Sequence, residues 1–167
     1  APINVPSFDN AAMDGYAFAK GSELAEHTAL TIVGESVAGK AFDGTLQAGQ
    51  GVRIFTGAIV PSDCDTVVMQ ENTNFNDIKD SIDKTQFYAI TLTKTATVSS
   101  NIRYQGEEVQ TGETVLTIGK RLNPTDISLL ANLGVAQVSV FAPLTVGIIA
   151  TGDELVQIGE PLTDLAK

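Results

Sequence analysis

The chain has almost none of the residues that build soft-metal sites or cross-links. Cys64 is its only cysteine and His27 its only histidine in 167 residues. One cysteine closes no internal disulfide, and one of each cannot assemble a Cys- or His-rich metal site. A Ser-His-Asp triad would have to rest on His27 alone. Positive charge is also scarce. Ten Lys and Arg against twenty Asp and Glu leave a formal net charge of −10. That lacks the basic stripe a nucleic-acid surface needs, so no nucleic acid is expected as partner. No apolar run approaches the roughly 18 residues of a spanning helix, and no signal-peptide pattern opens the chain. No membrane contact is expected, and a reduced cytoplasmic setting is. Walker loops and GxGxxG fingerprints are missing too.

What is present reads as a folded protein, since 43% of residues are hydrophobic and 18% charged, a globular balance. The first hundred residues read as an antiparallel, mostly β region. "ALTIVGESVAGK", "AGQGVRIFTGAIV" and "DCDTVVMQE" are short β-like runs punctuated by Gly, the last with Val67, Val68 and Met69 as a buried centre. Residues 72–84, "NTNFNDIKDSIDK", read as an exposed loop or hairpin tip, after which "TQFYAITLTKTATVS" resumes as strand. "TGETVLTIGKRL" predicts one or two short strands. "NPTDISLLANLG" is the clearest helix, with Asn123 as N-cap, Pro124 at the first helical position and Asp126 in the first turn. Ile127, Leu130 and Ala131 are expected to share its buried face, and Gly134 to stop it. "VAQVSVF" then alternates as a strand. "VGIIA", near the end, is a continuous apolar run of the kind buried on both faces of a parallel sheet. The fold class expected is α+β, mostly β with some α. The lone α/β-type strand near the end leads us to expect a piece of a longer polypeptide.

Four polar clusters are candidates for chemistry. "FDNAAMDGYA" carries Asp14 before a Gly, an arrangement that most often makes a turn. "RIFTGAIVP" places Thr56 and Gly57 at a strand end, where a missing Cβ would let a ligand approach. "NIRYQGEEVQTG" groups Arg103, Glu107 and Glu108 around a Gly turn, most simply a solvated loop. "ATGDEL" puts Thr151, Gly152, Asp153 and Glu154 at the carboxyl end of the apolar strand, where open α/β sheets place their sites. Carboxylates with a hydroxyl are hard donors suited to Mg²⁺. Nothing in the spacing requires these clusters to meet.

In this order the clusters resemble one family, the molybdenum-insertion enzymes of the MoeA family and the related gephyrin E domain. The resemblance rests on "VPSFDNAAMDGYAF", "GQGVRIFTGAIVPSDCDTVVMQE", "NIRYQGEEVQTGETVLTIGKRLNPTDISLLANLG" and "PLTVGIIATGDELV", and covers nearly the whole chain. It implies an elongated, multi-domain subunit. Residues 1–8 would be a lead-in, 9–100 the β-rich second domain, 101–143 part of the connecting first domain, and 144–167 the start of a molybdopterin-binding α/β domain cut short. It also implies a transferase reaction in molybdenum cofactor biosynthesis: molybdate and adenylylated molybdopterin as substrates, AMP released, Mg²⁺ as cofactor. The subunits would form a homodimer whose site is shared between them, served by an adenylylating partner of the MogA type.

Carried over by motif position, the functional residues are Asp14, Thr56, Glu108 and Glu154. Asp14 and Glu154 would orient metal or water at the phosphoryl group. Thr56 would bond an anionic oxygen, and Glu108 would shape the cleft. Gly57, Thr151, Gly152 and Asp153 would line the cofactor. Two positions depart from the family pattern: Ala11 stands where Ser is usual, and Glu108 where Asp is usual. The isolated chain is expected to be inactive. The alternative reading is a gephyrin-like scaffold without turnover.

Overall fold

Gly15–Ala19, Gly-Tyr-Ala-Phe-Ala, shows neither helical periodicity nor polar alternation, yet it is the strand around which the sheet is built. Successive side chains of a strand point to opposite faces. Here the alternation is one of size, with Tyr16 and Phe18 on one face and Ala17 and Ala19 on the other, and all five residues are buried. Each face supports its own core. Tyr16 and Phe18 pack with Leu30, Ile32, Val68 and Ile90. Ala17 and Ala19 pack with Val52, Ile54, Val60 and Val67. Full burial of a large apolar side chain contributes about 1.5–3 kcal/mol, so neither face can be turned to water cheaply.

The computed structural model describes residues 1–83, 85–149, 151 and 156–161. They fall into two units, Ala1–Ala136 and Gln137–Lys167. The first holds seven strands: β1 (Asn10–Ala11), β2 (Gly15–Ala19), β3 (Ala29–Ser36), β4 (Gln50–Ile54), β5 (Cys64–Met69), β6 (Tyr88–Thr91) and β7 (Ile102–Arg103). Five of them form a sheet in the order β5-β2-β4-β3-β6, and β1 pairs with β7 in a two-stranded sheet. The architecture is mostly strand with few helices, as the composition and patterning imply. The sheet is not wholly antiparallel, however. β3 and β4 run parallel, with Ile32 opposite Gly51 and Glu35 opposite Arg53. Parallel neighbours need a long crossover, and residues 37–49 supply it.

At Gly15 the backbones of β2 and β5 leave no room for a side chain. A Cβ at this position would lie 2.0 Å from the Val68 carbonyl oxygen, well inside van der Waals contact. The glycine is required by proximity rather than by backbone angle.

Several local expectations are corrected. Residues 72–84 are not a bare loop. They include α1 (Phe75–Ile78), followed by a 3₁₀ turn at Lys79–Ser81, and Phe75 and Ile78 pack against the Tyr16–Phe18 core. The polar residues around them masked that apolar pair, three residues apart and so on one helical face. "TGETVLTIGKRL" carries no strand. Instead the first residues of the chain bind its start and the residues just before it: the Val5 N–H donates to the Val109 carbonyl at 2.8 Å, and the Gly112 N–H to the Ala1 carbonyl at 2.8 Å.

α2 (Pro124–Asn132) forms as expected, and its start is a reciprocal capping box between Asn123 and Asp126, which satisfies two otherwise orphan N–H groups. Gly134, at φ 71°, follows its end. The buried positions, however, are Asp126, Leu130 and Leu133, while Ile127 is 54% exposed. Asp126 turns inward because it accepts from the Asn123 N–H and pairs with Lys120 Nζ at 2.6 Å. That places Ile127 on the outside.

In the second unit the described residues form no strand, so neither "VAQVSVF" nor the described part of "VGIIA" is one. Leu144, Val146, Ile148 and Ile149 are all at least 79% exposed. A strand exists only through hydrogen bonds to a neighbour, and no described residue pairs with these.

Two substitutions test this account. Gly15→Ala should lower the unfolding free energy by about 3 kcal/mol, the upper end for overpacking, as read by urea denaturation. Asn123→Ala should cost only about 1 kcal/mol, the usual value of an N-cap. A Gly15→Ala protein as stable as the parent would refute the close approach of β2 and β5.

Candidate functional site

Three of the four polar clusters meet around β1. The Gly57 N–H donates to the Ala11 carbonyl at 2.8 Å, and the Ala11 N–H to the Ala58 carbonyl at 3.0 Å. On the other side, Asn10 and Ala11 pair with Arg103 and Ile102, and the Ala12 N–H donates to the Asn101 carbonyl at 2.9 Å. The first cluster is thus a two-residue strand gripped between the second and the third. Ala11 is fully buried within the apolar core. A methyl suits that position, which accounts for Ala where a hydroxyl is usual.

Asp14 and Thr56 touch directly. Asp14 precedes β2, and Thr56 lies two residues after β4 ends. Because these strands are antiparallel with Gly15 opposite Ile54, the two residues emerge at the same end of the pair. Asp14 Oδ1 accepts from the Thr56 N–H at 2.8 Å and from the Thr56 hydroxyl at 2.7 Å. These bonds hold the carboxyl below the usual aspartate range: the Thr56 amide first, then its hydroxyl, outweigh the slight desolvation, and the Arg53 charge adds to them. The second oxygen, Oδ2, has no hydrogen-bond partner among the described residues. Asp14 is therefore an exposed, firmly ionised carboxylate with one oxygen anchored and one free.

The Thr56 hydroxyl proton goes to Asp14, so in this structure Thr56 orients a carboxylate. Gly57 has φ 80° and open space where a Cβ would stand.

Glu108 stands apart from that pair. Its carboxylate lies 3.8 Å from Arg103 Nη1, with both side chains more than half exposed, and a surface pair of this kind contributes little stability. Its neighbour Glu107 closes the turn by accepting from the Tyr104 N–H at 2.8 Å. Among the described residues, no hydrogen bond or ion pair joins Glu108 to Asp14 or Thr56. Thr151 is exposed, and Gly152, Asp153 and Glu154 lie outside the described residues.

Two other polar side chains can be set aside. Cys64 is buried, and burial together with Asp63 and Asp65 pushes its thiol up to about 12, so it is neither nucleophile nor ready ligand. His27 is exposed beside Glu26. No group of three His, Cys, Asp or Glu poised for a metal occurs among the described residues.

Arg53 escaped the sequence reading. It sits in β4 with its guanidinium 5.0 Å from the ring centres of Tyr16 and Phe55 and 4.7 Å from that of Phe75. A cation among the apolar residues of "GVRIF" was the available signal.

Residues 1–134 match the family model described as MoeA N-terminal region (domain I and II). The chain belongs to the MoeA family. It is 44% identical over 162 residues to the molybdopterin molybdenumtransferase of Haemophilus influenzae, covering 97% of this chain and 38% of that protein. The protein of the same name from Nostoc is 37% identical over 164 residues, 96% of this chain and 35% of its own length. Among solved structures, a molybdopterin biosynthesis moeA protein from Pyrococcus horikoshii superposes with a TM-score of 0.65 at 28% identity, over 80% of this chain and 34% of that one. The chain thus spans little more than a third of the relatives it matches.

The state of Asp14 has a measurable consequence. Its folded pKa is depressed, so the stabilisation from the Thr56 contact is complete above the ordinary aspartate value of about 4 and is lost as pH falls through the lower folded value. A carboxyl ¹³C titration should place the Asp14 midpoint below that ordinary value. Thr56→Ala, which keeps the amide bond and removes the hydroxyl, should move the midpoint up. An unchanged midpoint in Thr56→Ala would show that the hydroxyl does not act on the carboxylate.

Proposed function

We propose that this chain supplies one wall of the site at which molybdenum passes from molybdate to the dithiolene of adenylylated molybdopterin, with release of AMP. The observation that carries the reading is the Asp14–Thr56 contact: an exposed carboxylate, held ionised, where three family motifs converge. Cleavage at phosphorus depends mostly on positioning and charge neutralisation. A fixed carboxylate with one unspent oxygen is suited to orient an attacking water or a hydrated cation.

For Mg²⁺ the donor set fits a limited role. This ion keeps several waters and takes one or two protein carboxylates besides substrate phosphates, and Asp14, with Oδ2 unspent, would be one such ligand. Glu154 would be the second. When bound, Mg²⁺ would neutralise phosphoryl charge, an aid to an anionic substrate approaching a chain of net charge −10. Thr56 keeps the Asp14 carboxylate aimed, Gly57 leaves room beside it, and Glu108 with Arg103 borders the cleft. Thr151, Gly152 and Asp153 would meet the pterin.

In this reading residues 9–100 are the second domain and 101–143 part of the first, with 144–167 opening the pterin domain. The site is completed by a dimer partner, the adenylylated substrate comes from a separate MogA-type enzyme, and the setting is the cytoplasm. This chain alone is expected to release no AMP, because one wall does not make a site.

The experiment is AMP release from adenylylated molybdopterin with molybdate and Mg²⁺, by a polypeptide of full family length carrying this chain. Asp14→Asn keeps the shape and removes the charge, and should slow release by about 100-fold or more, the scale of losing one preorganised electrostatic group. Wild-type rates in Asp14→Asn would remove Asp14 from the reaction and sink the proposal.

A further inference from the structure

Asp14 is held at more than its side chain. The Gln70 N–H donates to the Asp14 carbonyl at 3.1 Å. Arg53 Nη1 donates to the next carbonyl, that of Gly15, at 3.3 Å, and Arg53 Nη2 to Gln70 Oε1 at 2.5 Å. These contacts close a ring in which Arg53 and Gln70 grip two successive carbonyls and each other. The two residues reach the turn from opposite edges of β2. Arg53 is in β4 opposite Tyr16, whereas Gln70 follows directly on β5, whose Met69 is opposite Gly15.

The guanidinium itself is fixed by the rings of Tyr16, Phe55 and Phe75, a cation–π arrangement that resists displacement once desolvated. Glu35 lies opposite Arg53 in the β3–β4 pairing. Yet no Glu35–Arg53 ion pair forms among the described residues, and the guanidinium points its donors at the Asp14 turn. A planar fork with several donors in fixed directions can make both bonds at once, and a lysine ammonium cannot reproduce that geometry.

We infer that Arg53 and Gln70 form a clamp that positions the Asp14 carboxylate for the reaction, Arg53 acting through the backbone of the turn rather than on substrate. The inference rests on the function proposed above for Asp14. Arg53 also lines a cavity of about 450 Å³ with Glu35, Phe55, Phe75, Lys79 and Tyr88. That cavity gives an added guanidinium ion a route to the space Arg53→Ala would leave, which makes the clamp open to chemical rescue.

The test has two arms. The first needs no turnover. In this chain, amide exchange of Thr56, whose N–H is bonded to Asp14, should accelerate about 10-fold or more in Arg53→Ala, reflecting local opening of the turn. Amides of β3 and β6 should be unchanged. Equal acceleration everywhere would mean that Arg53 only holds the fold, and no acceleration that it does not hold the turn; either overturns the clamp.

The second arm reads AMP release in the full-length polypeptide. Arg53→Ala should lose about 100-fold in kcat, the cost typical of a displacement near 1 Å, with KM little changed. Arg53→Lys should recover little of the loss. Millimolar guanidinium, far below denaturing levels, should restore much of it through the open cavity. Gln70→Ala should also be slow, whereas Gln70→Glu, which keeps the acceptor, should retain most activity. If Asp14→Asn is inactive while Arg53→Ala and Gln70→Ala work normally, the clamp is wrong and the Asp14 reading stands. If Asp14→Asn is itself fully active, the function proposed for Asp14 fails, whatever the exchange data show.

Discussion

Everything near the candidate site depends on a strand that has no free face and no free edge. β2 is buried on both sides and hydrogen-bonded to β4 on one edge and β5 on the other. A strand so enclosed cannot slip in register, since a shift of one residue would exchange Tyr16 and Phe18 with the alanines between two differently shaped cores. Its first residue, Gly15, has no room for a side chain beside the Val68 carbonyl. Asp14 therefore leaves this doubly enclosed strand at one defined place. The exposed side chain inherits its position from the buried strand behind it.

From that fixed point the surroundings follow. The antiparallel pairing of β2 with β4 brings Thr56 beside Asp14, and the pairing with β5 brings Gln70 to its carbonyl. The neighbouring strand β1 joins the first motif to the second and third through backbone bonds alone. Such bonds do not depend on side-chain identity, which is why Ala11 can replace a hydroxyl residue without opening the arrangement. Glu108 belongs to the third motif but reaches solvent beside Arg103. The extra methylene relative to an aspartate is accommodated there without crowding any buried group.

Some of this was readable in the sequence, for reasons tied to local chemistry. The helix at Pro124–Asn132 announced itself because capping and a terminal glycine act within a few residues. β3, β4 and β5 were legible as apolar runs punctuated by glycine. β2 was not, because a strand buried on both faces loses the polar alternation that marks a half-buried one, and small against large is a weak signal. Residues 72–84 misled because Asn and Asp dominate the composition while Phe75 and Ile78 do the apolar packing. The inward turn of Asp126 defeated a hydrophobicity count for the same reason: a paired and hydrogen-bonded carboxylate can be buried. Asp14, Thr56 and Glu108 were picked out through their motifs, whereas Arg53 and Gln70 were passed over, since neither belongs to a pattern with chemistry of its own.

The sequence by itself determined family membership, the helix and its caps, the β-rich character, and which residue types are available for chemistry. These are properties of composition and of short stretches, where each residue acts on near neighbours. Only the tertiary structure decided that Asp14 meets Thr56, that Arg53 and Gln70 close around the same turn, and that Glu108 does not join them. Those partners lie about forty to sixty positions from Asp14, in or just beyond separate strands. Nothing local specifies such a meeting; it follows from the order and direction in which the strands pair to bury their apolar faces.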